Sequence, residues 1–345
     1  MLKLSPGKLW GMRRLADADG RWKMIAIDQR TPLMGPVAQK REVKEAPFKD
    51  LSDIKISVIK HLSPYSSAML LDPNYAYPYG VHELSPAKGL ILAVEDHVTD
   101  ENAGGRKSKL IPDWSVEKIS KIGGDAVKLL IWYRPDAHHS VNEHQQRLVK
   151  QVGDECRKYD KVLLLELLVY PLASDEPGFL ERSRSKLVQD SLRDFSSLEF
   201  GVDIYKLEPP AQINSVPDPH GPAAAAYQKS FDQLSQLTSK PWVLLSAAAG
   251  PTDFIHSLTY AYRANASGYL CGRAIWQAAF EKFPNFALLN EVLIQDSVKY
   301  VNQINELTDK LALPWIKHPA YGGDIFMPDA DPMLTNSFSS FYVAK

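Results

Sequence analysis

The stretch GVDIYKLEPP, residues 201–210, places a lysine in the middle of a short apolar run. Val202, Ile204, Tyr205 and Leu207 are branched or aromatic, residue types that favour a strand, and two prolines end the run. Side chains alternate along a strand, so Ile204, Lys206 and Glu208 share one face while Tyr205 and Leu207 share the other. Burying an ammonium group is costly unless it is paired or used. What Lys206 does in a strand is therefore a question about the whole fold.

Working outward, seven further runs read as strands: 23–28 (KMIAID), 67–72 (SAMLLD), 90–95 (LILAVE), 126–132 (AVKLLIW), 162–169 (VLLLELLV), 242–246 (WVLLS) and 268–271 (GYLC). Helical patterns lie between most of them, as at 115–122, 141–159, 182–200, 223–238 and 252–265. Eight strands with helical crossovers predict an α/β fold, a (β/α)8 TIM barrel. An open doubly wound sheet is the main rival. Its glycine-rich phosphate fingerprint is missing after the first strand, where the chain reads DQRTPLM. Helices around 274–282 and 286–310 complete the ring, and from Pro314 a tail rich in Pro, Gly and Asp forms a C-terminal extension. No internal repeat or low-complexity linker interrupts residues 1–345, so one domain is expected.

The 345 residues are 45% hydrophobic and carry a formal net charge of -1, which asks for neither nucleic acid nor an acidic membrane surface as partner. Two distant cysteines, Cys156 and Cys271, suit a reducing cytoplasm and no disulfide scaffold. The N-terminal stretch lacks a continuous apolar segment of signal-peptide type, and no run is long and apolar enough for a membrane span.

In a barrel of this kind the C-terminal strand ends carry the chemistry. Asp28, Asp72, Glu95, Glu166, Lys206, Glu208 and Ser246 gather there, with Lys128 from the fourth strand and Arg273 after the eighth. Strand parity puts Lys128, Leu130 and Trp132 on one face. The barrel interior then receives Lys128, Glu166 and Lys206 from three successive strands. Two amines and carboxylates in a partly desolvated cavity suit imine chemistry. Desolvation and a like charge both lower a lysine's pKa and free the amine as a nucleophile. A nearby carboxyl can shuttle the protons of carbinolamine formation and dehydration. A lone strand-end lysine is more often snorkelling or in an ion pair, but three such groups on neighbouring strands favour a site.

Other signals have competing readings. His97, His138 and His139 follow strands three and four and raise the question of a zinc site. The histidine pair, however, lies in RPDAHHSVNEHQQR, which reads as the entry to an exposed helix. Asp72 and Glu95 could be a glycosidase pair, which would leave the lysines unexplained. Cys271 reads as core, and Trp132 and Tyr133 as pocket lining or packing. Arg30, Arg134, Arg106, Lys107 and Lys109 could each supply charge for a second anion. For 106–109 a solvated basic loop is the preferred reading.

IAIDQR (25–30), LLDPNY (70–75), GGDAVKLLIWY (123–133), ELLVY (166–170), VDIYKLEPP (202–210), WVLLSA (242–247) and GYLCGRAIW (268–276) together resemble the class I tagatose-1,6-bisphosphate aldolases. The sulfofructose-1-phosphate aldolases are a related group with similar motifs. The resemblance implies a barrel aldolase with no metal or other cofactor. It implies Lys206 as the Schiff-base lysine and Glu166 as the carboxyl that manages protons. Lys128 becomes the second active-site lysine, and Asp28 the carboxylate beside the C3 and C4 hydroxyls. Gln29 and Arg30 of the DQR motif would contact substrate, and Ser246, Gly272 and Arg273 would hold the C1 phosphate. The family carries glycine two residues after the serine, where Ala248 stands here. The implied substrate is a phosphorylated ketohexose, and the implied assembly a homo-oligomer, dimer or tetramer. The rival from another class is a sugar-phosphate-binding regulator that has lost turnover.

Overall fold

All eight apolar runs form parallel strands: β1 (Trp22–Ala26), β2 (Ala68–Leu71), β3 (Gly89–Ala93), β4 (Ala126–Trp132), β5 (Val162–Leu168), β6 (Ile204–Leu207), β7 (Trp242–Leu244) and β8 (Gly268–Cys271). The computed structural model describes residues 4–102 and 104–321. The strands close in sequence order into a barrel, β8 pairing back onto β1 with Trp22 opposite Gly268 and Ile25 opposite Cys271. Gly268 is required at that seam, because a Cβ there would lie 1.9 Å from the Trp22 carbonyl oxygen. The expected TIM barrel is the fold.

Alternation sorts the strand residues into two apolar layers. Met24, Ala26, Leu70, Ile91, Ala93, Leu164, Ile204, Val243 and Leu270 fill the barrel. Their neighbours Ile25, Met69, Leu92, Val127, Leu165, Tyr205, Leu244 and Cys271 face the helices. The lower interior is therefore a dry plug, which confines polar side chains to the C-terminal half.

The ring departs from expectation in four places. Asp28, Asp72, Glu95, Glu208 and Ser246 lie just past the strand ends rather than inside the strands. The predicted helix over 286–310 is broken into Phe286–Val292, a π-helical turn Leu293–Ser297 and Val298–Leu311. In that turn the Ser297 hydroxyl donates to the Ile275 carbonyl at 2.8 Å. A short antiparallel hairpin, Asp100–Asn102 with Gly105–Lys107, stands between β3 and β4. Finally, a helix precedes β1, Pro6–Leu15, and turns Met12 and Leu15 into the interior cluster. Asp160 caps it from across the chain, accepting from Gly7 N at 2.6 Å and Lys8 N at 3.3 Å. That supplies the acceptors a helix start lacks.

The tail begins by closing the same end. Trp315 stacks on Trp22 with ring centroids 6.2 Å apart, and Tyr321 meets Trp315 edge-on. The remainder of the extension lies outside the described residues. Among the described residues no helix is long and apolar enough to cross a membrane.

Candidate active site

The interior alternation of β4, β5 and β6 continues upward from apolar to charged: Ala126 then Lys128, Leu164 then Glu166, Ile204 then Lys206. Register fixes their heights. Glu166 is directly opposite Lys206, whereas Lys128 is opposite Leu164, one interior layer deeper. All three are buried, Lys128 to 2%, Glu166 to 5% and Lys206 to 4% exposure. Lys206 Nζ lies 2.9 Å from Glu166 Oε1, and Lys128 Nζ lies 2.9 Å from Glu166 Oε2. Glu166 thus turns one oxygen to each amine.

The two amines are held unequally. Lys128 also donates to Asp28 Oδ2 at 2.9 Å and Glu95 Oε1 at 2.6 Å, which gives it three carboxylate neighbours. Burial pulls its pKa down, but Asp28, Glu166 and Glu95 outweigh burial and hold it well above the ordinary lysine value. Among the described residues the only ion pair of Lys206 is to Glu166, which it shares. Lys128 is thus a fixed cation, and Lys206 is the amine with the fewest ionic ties to break.

The three acids also differ. Burial would raise Asp28, but Lys128, Lys206 and Arg30 prevail and keep it well below the ordinary carboxylate range. Burial likewise opposes Lys128 and Lys206 at Glu166, whose pKa is lowered. At Glu95 burial wins, and its pKa is raised. Like charges crowd one ammonium, and Glu95 is the acid pushed towards protonation. Its other oxygen accepts from Leu130 N at 3.2 Å, which fixes the carboxyl on β4.

A cavity of about 450 Å³ at the C-terminal mouth is lined by Asp28, Gln29, Arg30, Glu95, Lys128, Glu166, Lys206 and Arg273, together with His97, Arg106, Leu130, Trp132 and Leu168. Ser246 and Gly272 are not on its wall. Gly272 abuts it, since a Cβ there would lie 3.0 Å from Gln29 Nε2. Ser246 is buried and opens a turn in which Ala247 and Ala248 take φ of 48° and 63°. The turn keeps the left-handed form a glycine would adopt, at a cost of about 1–2 kcal/mol per residue. A larger cavity of about 580 Å³ opens at the other end of the barrel, lined by Trp10, Arg13, Gly20 and Trp315. It holds neither lysine and none of the acids just described.

Several residues have structural partners instead. Arg134 is buried against Asp136 and Asp175, with Nη1 donating to the Tyr170 carbonyl at 2.7 Å, and this takes it out of the set of candidate anion receptors. Lys109 pairs with Asp100 at 2.9 Å in the open. Glu208 pairs with Arg184 and accepts from Val169 N at 2.6 Å. Tyr133 donates to Asp194, whereas Trp132 lines the cavity. His138 and His139 are exposed at the start of the helix His139–Lys158. Among the described residues no group of three or more His, Cys, Asp or Glu is arranged to hold a metal ion.

Sequence reasoning missed Lys55. It projects from the helix Phe48–Leu62 and is fully buried, 2.6 Å from Asp72 Oδ2. Its other donors reach the carbonyls of Ile27 and Gln29, both at 2.7 Å. Those two carbonyls flank Asp28, so Lys55 and Asp72 hold the loop that presents Asp28. A lysine among helical residues carries no sequence signal of that task.

The fold is a (β/α)8 barrel, and its candidate site lies at the C-terminal mouth. The chain matches the family described as DeoC/LacD family aldolase over residues 23–278. It is 32% identical over 326 residues to a tagatose 1,6-diphosphate aldolase of Listeria monocytogenes, covering 91% of this chain and 95% of that protein. It is 34% identical over 293 residues to tagatose 1,6-diphosphate aldolase 2 of Enterococcus faecalis, covering 82% and 87%. An archaeal fructose 1,6-bisphosphate aldolase structure superposes with a TM-score of 0.57 at 16% identity, covering 87% of this chain and 98% of that one. The fructose-bisphosphate aldolase of Plasmodium falciparum superposes at 0.58 with 13% identity, covering 90% and 97%. The chain belongs to the DeoC/LacD aldolase family. It is an enzyme, a lyase of the aldolase class.

Proposed function

We propose that this protein is a class I aldolase. It reversibly cleaves a phosphorylated ketohexose of the tagatose 1,6-bisphosphate type to dihydroxyacetone phosphate and glyceraldehyde 3-phosphate. The observation that carries the reading is the pairing of Lys206 with Glu166 beside a second, ionically locked lysine. The names of the Listeria and Enterococcus relatives supply the sugar.

In this reading Lys206 gives a proton to Glu166, the freed amine adds to the C2 carbonyl, and Glu166 passes a proton to the departing hydroxyl as the carbinolamine loses water to an imine. Asp28, held ionised by its cations, accepts the C4 hydroxyl proton. The C3–C4 bond breaks, its electron pair runs into the imine as an enamine, and the aldehyde leaves. Protonation at C3 and hydrolysis return the amine and dihydroxyacetone phosphate. The Lys128 ammonium stabilises charge on substrate oxygen from a dry, fixed position. Gln29 and Arg30 contact substrate hydroxyls, and Ser246, Gly272 and Arg273 take the C1 phosphate. Arg273 on the cavity wall supports that last assignment.

Borohydride with dihydroxyacetone phosphate tests the reading. The wild type gains covalent mass on Lys206, and Lys206→Met gains none while keeping its fold. Normal turnover by Lys206→Met would refute the assignment, and binding without trapping in the wild type would mark a regulator. Turnover of tagatose 1,6-bisphosphate, fructose 1,6-bisphosphate and sulfofructose 1-phosphate then identifies the sugar. We further infer a single domain, a cytoplasmic setting in keeping with two buried free cysteines, and a dimer or tetramer, which light scattering tests.

A further inference from the structure

The hairpin between β3 and β4 carries Arg106 over the cavity, and its surroundings are not those of a solvated basic loop. The Arg106 guanidinium sits 4.9 Å from the Trp132 ring centroid and 5.0 Å from that of Tyr170. Its backbone is fastened as well. Arg106 N donates to Tyr170 Oη at 2.9 Å, and its carbonyl accepts from buried Gln145 at 3.2 Å. Gln145 in turn donates to the Trp132 carbonyl at 2.7 Å. Gly105 permits the close approach: a Cβ there would lie 2.4 Å from Tyr170 Oη, and φ is 131°. Aromatic faces fix a guanidinium's position without consuming its N–H donors.

Those donors are nearly unspent. Among the described residues the only ion pair of Arg106 is to Glu101, 3.2 Å away on the same hairpin and 56% exposed. Such a pair is weak and easily exchanged. That pair runs through Arg106 Nε and, among the described residues, lacks the alignment of a hydrogen bond. By contrast Arg30 already donates to the Glu95 carbonyl at 2.7 Å, beside Lys128.

Height selects the group that Arg106 would meet. Trp132 pairs with Leu168, one interior layer above Leu130 and Glu166. Two strand residues rise about 7 Å. That separation matches the reach from C2 to the far end of a hexulose whose C2 is bonded to Lys206.

We propose that Arg106, clamped between Trp132 and Tyr170, is the receptor for the distal tetrahedral oxyanion of the substrate, carried on the aldehyde half. The proposal rests on the aldolase reading of the same site. It makes Arg106 a specificity-determining residue, because a planar fork of donors suits phosphate or sulfonate oxygens.

The test compares kcat/KM of wild type, Arg106→Met and Arg106→Lys on a ketohexose 1,6-bisphosphate, on the same ketose phosphorylated at C1 only, and on sulfofructose 1-phosphate. Arg106→Met should lower kcat/KM for the bisphosphate about 10- to 100-fold more than for the 1-phosphate, the value of a charged hydrogen-bonded contact. Arg106→Lys should recover part of that loss. A matching selective loss on sulfofructose 1-phosphate would show that the same receptor takes a sulfonate. Equal losses on substrates with and without the distal anion would overturn the proposal. If the wild type turns over no ketose, the aldolase reading fails, and binding decides this one. Glycerol 3-phosphate titrated calorimetrically into Arg273→Ala protein should bind about tenfold more weakly once Arg106→Met is added, and equal affinity would overturn it.

Discussion

Lys128 and Lys206 are chemically identical side chains, on strands either side of β5, that the structure surrounds differently. Three carboxylates surround the deeper lysine, and one shared carboxylate meets the other. In the proposed reaction the first never gives up its proton, and the second gives it up once per cycle. Glu166 is the go-between, with one oxygen towards each amine. Glu166→Gln keeps the shape and removes the proton carrier, so single-turnover imine formation should slow by about 100-fold or more while substrate affinity changes little. An equal loss in both would make Glu166 a binding group only. This part of the site was legible in the sequence because a period of two leaves no freedom. Once 202–207 is a strand, Lys206 must share a face with Ile204, and that face proves to be the interior. Arg106 was not legible. Its polar, glycine-containing surroundings look like any surface turn, and its aromatic partners lie 26 and 64 residues downstream, at Trp132 and Tyr170.

At the level of elements, the strands were readable because each is a continuous apolar run between breakers, as parallel strands covered on both faces must be. The hairpin at 100–107 escaped because DEN and GRK have no apolar alternation at all. The helix Phe48–Leu62 shows the limit from another side. Its amphipathic pattern announces a buried face but not that Lys55, on that face, crosses to the strand ends to hold Asp72 and the backbone around Asp28. Breaking a buried ion pair leaves an uncompensated charge. Lys55→Met should therefore cost about 3–5 kcal/mol in denaturant unfolding. It should also lower kcat more than it raises KM, because the Asp28 loop loses two of its ties. A loss of stability with unchanged kcat would limit Lys55 to a structural part.

At the level of the whole molecule, the barrel carries the candidate site at one end and an aromatic closure at the other. His318 belongs to the second, buried near Lys240 beside the Trp315–Tyr321 contact. Burial, helped by Lys240, lowers its pKa from 6.5 to about 4. The neutral ring accepts from Ala320 N at 3.2 Å through Nδ1, a role protonation would end. Because the folded value lies below the unfolded one, the unfolded chain takes up the proton first. The stabilisation is complete above pH 6.5 and is lost as pH falls towards 4. His318→Gln should flatten the decline of the melting temperature across that window and leave the behaviour above pH 7 unchanged. An identical slope in both proteins would remove His318 from the acid response.

The stacking of Trp315 on Trp22 unites the two extremes of the described chain, and Lys8 reaches Asp203 at 2.6 Å beneath the same floor. A ribosome must therefore deliver some three hundred residues before the floor is finished, although β1 is among the first elements to emerge. Until then Trp22 lacks its stacking partner, and uncovered apolar surface of that kind favours association of incomplete chains.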